Sequence, residues 1–254
     1  MSATATDDSR PSLARAARAE WVKFGTLASN TVTTLAAVAV IAVIAAVLVW
    51  ARASESAAPS TVELLTGVSW AQLFLPVLAA VFVCSEWSSG TSRVTFLAVP
   101  TRWPVLLGKA AVMGVVSFFA GALGATGALL VGLVGGVDVG ADAALAVRLV
   151  IGAGVYLGGL AVLAVGIGAI ARNLTASVLT VIGFLWVLPL LIALIPSPEV
   201  QRLVPYLPSP AGGLLIAAEN PAALLTPWAG GAVLLAWACA ALLGALPVLR
   251  ARDI

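Results

Sequence analysis

Few side chains in this sequence are equipped for chemistry, and what they can do is narrow. Histidine is absent, which removes imidazole metal sites, Ser-His and Cys-His catalytic pairs and histidine proton relays together. Cys84 and Cys239 fall in apolar runs and read as small buried hydrophobes, not as a disulfide or a metal site. Gly108-Lys109 is followed by Ala110 and lacks the first glycine of a G-x-x-x-x-G-K-[ST] phosphate loop, so no ATP site of that kind is encoded. A lipid-modifying membrane enzyme would need acidic, His or Cys groups converging at one membrane face, and here the carboxylates are scattered singly. Polar chemistry is concentrated in one stretch, Glu86 to Lys109, reading EWSSGTSRVTFLAVPTRWPVLLGK.

That stretch lies between two long apolar runs and carries Arg93, Arg102 and Lys109. A charged side chain at a bilayer's centre costs about 2.5–3.5 kcal/mol on the mildest scale. Several together are expected outside the lipid, and their positive sign assigns them to the cytoplasmic side. The rest of the chain explains why a membrane is invoked. It is 61% hydrophobic and 9% charged, against about 25% charged in ordinary globular domains, which is the composition of an integral membrane protein.

The elements that must position this stretch are read in order. Residues 1–12 are small, polar and acidic and are expected to be disordered. Residues 13–28 form an amphipathic interfacial helix, with Leu13, Ala17, Trp21 and Phe24 on one face and Arg15, Arg18 and Lys23 on the remainder. Trp21 and Phe24 are expected to dip inward. Glu20 falls inside the apolar sector, where it either reaches water or Lys23, or meets a basic residue elsewhere. Six spans follow, at about 31–50, 69–85, 110–137, 149–171, 174–195 and 227–249, each near the roughly 20 residues that cross a bilayer. The first is too long for a signal-peptide core. Pro76 is expected to kink the second and Pro189 lies in the fifth. Gly152, Gly159 and Gly166 recur every seven residues in the fourth and, with the Gly154/Gly158 pair, offer surfaces for close helix approach. Between the fifth and sixth spans, AGGLLIAA is apolar but too short to cross, and reads as a re-entrant or interfacial element. Residues 250–254 form the tail. No internal repeat is present.

Six spans place both termini on one side. On that topology ten basic residues lie inside and three, Arg52, Arg148 and Arg202, outside, as the positive-inside rule requires of cytoplasmic termini. None of the windows above contains Asp, Glu, Lys, Arg or His. This argues against a proton-coupled pump, which places such groups within the membrane. The polar residues within them are mild: Gln72, Ser117, Thr126, Tyr156, Ser177 and Thr180. They either shape a substrate path or are satisfied within their own helices.

Read locally, Thr91 caps a short helix running to about Ala98, Pro100 stops it, and Thr101 caps the next. Glu86, Gly90-Thr91, Arg93, Thr95, Ala98, Pro100, Arg102 and Lys109 resemble the cytoplasmic loop of type-2 ABC exporter permeases, especially the short actinobacterial ones. Arg18-Ala19-Glu20-Trp21-Val22-Lys23 resembles the start of that family, and Tyr206-Leu207-Pro208 with Ala211-Gly212 its outer segment. Trp87-Ser88-Ser89 departs from the pattern, which has a basic residue between the glutamate and the glycine.

The resemblance implies an all-α, six-span permease in a bacterial plasma membrane, paired with a second permease copy and with ATPase subunits that carry the ATP and Mg; this chain itself is expected to need no cofactor and to bind no nucleic acid. It further implies that Glu86, Gly90, Thr91, Arg93, Pro100 and Arg102 contact the ATPase through a coupling helix. Glu20, Trp21, Lys23 and Phe24 would lie beside it in the interfacial helix, and Gln72, Phe82, Phe184 and Trp186 are candidates for a substrate path. The alternatives are a scaffolding or regulatory membrane subunit that transports nothing and, further off, the lipid-modifying enzyme.

Overall fold

A computed structural model describes residues 13–53, 59–88, 103–139, 142–220 and 223–251. Among them every regular element is helical. Six helices are long and apolar enough to cross a membrane: Ala28–Arg52, Glu63–Ser85, Trp103–Val134, Ala143–Ala171, Leu174–Ala193 and Pro227–Val248. This is an all-α, multi-pass membrane protein. The calls on residues 1–12 and on the short helix at 91–98 lie outside the described residues.

The fourth span, Ala143–Ala171, is the axis of the packing, and its glycines explain why. A Cβ on Gly152 would come 2.7 Å from the Leu215 carbonyl oxygen, one on Gly159 2.8 Å from Leu234 Cδ2, and one on Gly166 2.6 Å from Ala241 Cβ. The seven-residue stripe therefore seats the sixth span and the segment before it. Gly154 and Gly158 face the opposite way, against Phe118 and the Gly114 carbonyl of the third span. Small residues are what allow such approach where lipid gives helices no hydrophobic reason to associate. The first, fifth and sixth spans leave most of their apolar surface outside the protein.

Several boundaries differ from the sequence reading, each for a local reason. The second span starts at Glu63, six residues earlier than expected. Ser60 and Glu63 form a reciprocal capping box: the Ser60 N–H donates to Glu63 Oε2 at 2.8 Å and the Glu63 N–H to Ser60 Oγ at 3.3 Å. Glu63 also meets Arg52 at 3.3 Å across the loop, an exposed pair of small energetic weight. The span does not merely kink at Pro76. Helix Thr66–Ala71 ends, residues 72–74 form turns, and a new helix, Leu75–Ser88, begins. Pro76 then falls in a first turn, where its missing N–H is not needed.

The third span starts at Trp103 and brings Lys109 inside the helix, and the fourth starts at Ala143 and brings in Arg148. The expectation of spans free of charged residues thus fails near helix ends, because these side chains find partners there. The 32-residue third span is about 48 Å long at 1.5 Å per residue, well beyond the roughly 30 Å hydrocarbon core, a mismatch that tilt or projecting ends absorb. In the fifth span, residues Gly183–Val187 are π-helical, with the Leu188 N–H donating to the Gly183 carbonyl. Pro189 supplies the cause, since its ring cannot continue an α-helical ladder. Cys84 is buried against Ser177 Oγ at 3.1 Å, whereas Cys239 is exposed on the sixth span and not buried as expected.

The turn between the fourth and fifth spans is made by two residues. Arg172 adopts φ 51° and closes one helix, and its guanidinium donates to the Val248 carbonyl at 2.6 Å. Asn173 caps the next, its side-chain oxygen accepting from the Ala176 N–H at 2.9 Å. Asn173→Ala is expected to lower stability by about 1 kcal/mol and Asn173→Ser to restore most of it, read from thermal unfolding of the purified protein.

Candidate functional site

Two polar clusters lie at different depths. The first is at the end of the bundle where the N-terminal helix Leu13–Thr26 packs on the first turns of the third span. Gly108 makes this possible: a Cβ there would sit 3.1 Å from the Ala17 nitrogen and 3.2 Å from the Ala16 carbonyl carbon. The Gly-Lys step that is no phosphate loop is therefore the seat of the N-terminal helix. Beside it, Lys109 Nζ meets Glu20 Oε2 at 2.7 Å, and Lys23 Nζ meets Glu20 Oε1 at 2.8 Å. The Glu20 and Lys109 side chains are only 3% and 5% exposed. The Lys109 ammonium also lies over the Phe82 ring, 4.7 Å from its centroid, and Phe24 meets the same ring edge-on at 5.9 Å. Asn30 Nδ2 donates to the Phe24 carbonyl at 3.1 Å, which fixes the step from the N-terminal helix into the first span.

This clamp joins three elements, two of which flank residues 89–102 along the chain. Phe82 is on the helix that leads into that stretch, Lys109 is on the helix that leads out of it, and Glu20 and Phe24 come from the N-terminal helix. Charge-assisted bonds in a water-poor setting are strong, and a cation over an aromatic face adds to them. Both alternatives for Glu20 are realised at once, since it pairs with Lys23 and with a distant lysine. Trp21 is 53% exposed from the protein, and the stripe packed against the third span runs through Ala17, Glu20 and Phe24. The side chain of Glu86 and all of Gly90, Thr91, Arg93, Pro100 and Arg102 lie outside the described residues.

The four candidate path residues have different packing partners. Phe82 belongs to the clamp with Lys109 and Phe24. Phe184 packs edge-on against Trp237 of the sixth span, centroids 5.3 Å apart, and Trp186 lies against Trp70 of the second at 5.5 Å. Gln72 is buried in the second polar cluster, with Tyr156 and Ser209. Of the other mild polar residues, Thr126 and Ser177 bond back to carbonyls of their own turns, at Ala122 and Asn173. Ser209 was not singled out by the sequence. Its signal was the apolar segment that cannot cross: Pro208–Gly213 and the turn Leu214–Ile216 pack against the fourth and sixth spans. No metal-ligand group of three or more His, Cys, Asp or Glu occurs among the described residues.

No protein-family model matches this chain, and neither does any curated protein sequence.

Proposed function

We propose that this chain is the membrane-spanning permease subunit of an ATP-driven exporter, gripped at its inner face by a separate ATPase subunit. The observation that carries the proposal is the buried Glu20–Lys109 pair with Phe82 and Phe24. It ties both helices that bracket the basic stretch 89–102 to the N-terminal helix, so a push on that stretch is delivered to three elements together. The excess of basic residues on this side supports a cytoplasmic position, and the family resemblance supplies the kind of partner. The uncovered apolar faces of the first, fifth and sixth spans leave room for a second permease copy. ATP moves such an assembly only as far as it binds one state better than the other.

The test is whether an adjacent reading frame encodes a P-loop ATPase that co-purifies with this chain, and whether the pair shows ATP-dependent export from inverted membrane vesicles. Glu86→Ala combined with Arg93→Ala is expected to lower complex recovery and export rate at least tenfold while the permease stays folded. Unchanged recovery and export would remove the docking role. Stable docking without any ATP-dependent flux would favour the scaffolding alternative, and ion-driven transport by the purified chain alone would overturn the proposal.

A further inference from the structure

A groove opens between the third and sixth spans, at the same end of the bundle as the clamp. It is lined by Trp103 and Leu107 from the first turns of the third span and by Leu242, Leu243 and Leu246 from the last turns of the sixth, and it holds about 310 Å³. Its cause lies in side-chain size. The sixth span closes on the fourth at Gly159 and Gly166, where a Cβ would meet Leu234 at 2.8 Å and Ala241 at 2.6 Å. Toward the third span it presents leucines, whose bulk holds the two helices apart.

No lining residue is charged, so water finds too few polar partners to fill the space. The mouth faces outward: Leu243 is 65% exposed and Trp103 43%. Around a membrane protein the medium there is hydrocarbon, and shape selects the occupant. One turn of α-helix with its side chains, about 10 Å across and 5.4 Å high, takes up roughly 400 Å³, more than the groove holds. A helix of a second copy does not fit, whereas a single acyl chain does. The headgroup class follows from the end of the groove. Trp103 begins the third span, and a tryptophan at a span end sits at headgroup depth. In the helix Pro227–Ala251, Arg250 follows Leu243 by seven positions and Leu246 by four, which places it on the groove's face one turn beyond the last leucine. Lipid tails are as apolar as leucine, so discrimination between lipids falls to charge. A basic position above an apolar slot between spans favours an anionic headgroup.

We propose that this groove binds one anionic phospholipid, its acyl chain between the third and sixth spans and its phosphate at the level of Trp103 and Arg250. The site goes beyond the export reading and needs no ATPase to be tested, so either can fail alone. The full chain in detergent is titrated with phosphatidylglycerol or phosphatidylcholine of identical tails, and bound lipid is counted by native mass spectrometry. One retained phosphatidylglycerol is expected, held about fivefold better than phosphatidylcholine, the worth of one basic residue near an anionic headgroup. Arg250→Gln should level that preference, and Leu243→Trp, which puts an indole into the slot, should abolish retention of both lipids. A second measurement needs no groove-filling variant. In nanodiscs, brominated phosphatidylglycerol as a minor component is expected to quench Trp103, read as wild type minus Trp103→Phe, more than brominated phosphatidylcholine at the same fraction. Four results overturn the proposal: no phospholipid retained by wild type, retention unchanged in folded Leu243→Trp, preference unchanged in Arg250→Gln, or equal quenching of Trp103 by the two lipids. The first would mean that protein, not lipid, fills the groove.

Discussion

Replacing Glu20 with alanine is expected to destabilise the protein by about 3–5 kcal/mol, the range seen when one partner of a buried ion pair is removed. The effect is large because the Lys109 side chain is 5% exposed, so its ammonium loses the facing carboxylate without gaining full hydration. The pair itself adds less than this figure implies, since two charges must first be taken from water. Glu20→Leu with Lys109→Met is therefore expected to recover most of the loss, while separating the structural from the electrostatic role of the clamp. Unfolding of wild type, both single variants and the double variant in nanodiscs closes the cycle. A Glu20→Ala variant within about 1 kcal/mol of wild type, well below the 3–5 kcal/mol range, would show that the clamp does not hold the N-terminal helix in place.

Gly121→Val is the second large effect. A Cβ at Gly121 would lie 2.5 Å from the Ala153 carbonyl oxygen and 2.9 Å from its carbon. The obstacle is backbone, not the end of a flexible side chain, so the third and fourth spans must separate along their shared face. Overpacking costs about 1–3 kcal/mol in cores that can shift locally, and here the upper end or beyond is expected because two long helices move together. Gly127→Ala is the control. Its Cβ would meet only Ala42 Cβ at 3.8 Å, an ordinary contact, and alanine is the better helix former by about 0.8–1 kcal/mol. Melting should show Gly121→Val strongly lowered and Gly127→Ala unchanged or slightly raised; equal effects would mean that glycine acts here through helix propensity and not through close packing.

Much of the architecture was legible because hydrophobic length is a local property. Six apolar runs, the seven-residue glycine stripe of the fourth span and the short segment that cannot cross all follow from counting residues against bilayer thickness and helix period. Helix starts were less legible. Ser60-Thr61-Val62-Glu63 carries a capping-box pattern that would have placed the start of the second span, whereas Lys109 and Arg148 misled, because a charge normally ends an apolar window.

What the sequence determined by itself is the membrane class and the number of apolar spans, since these depend only on transfer energies summed along the chain. Which residues meet was decided only by the tertiary structure. Glu20 finds Lys109 across 89 positions, and Ser209 finds Gln72 across 137. A buried polar group must find a partner, but the identity of that partner is fixed by how the helices pack, and no periodicity along the chain encodes it.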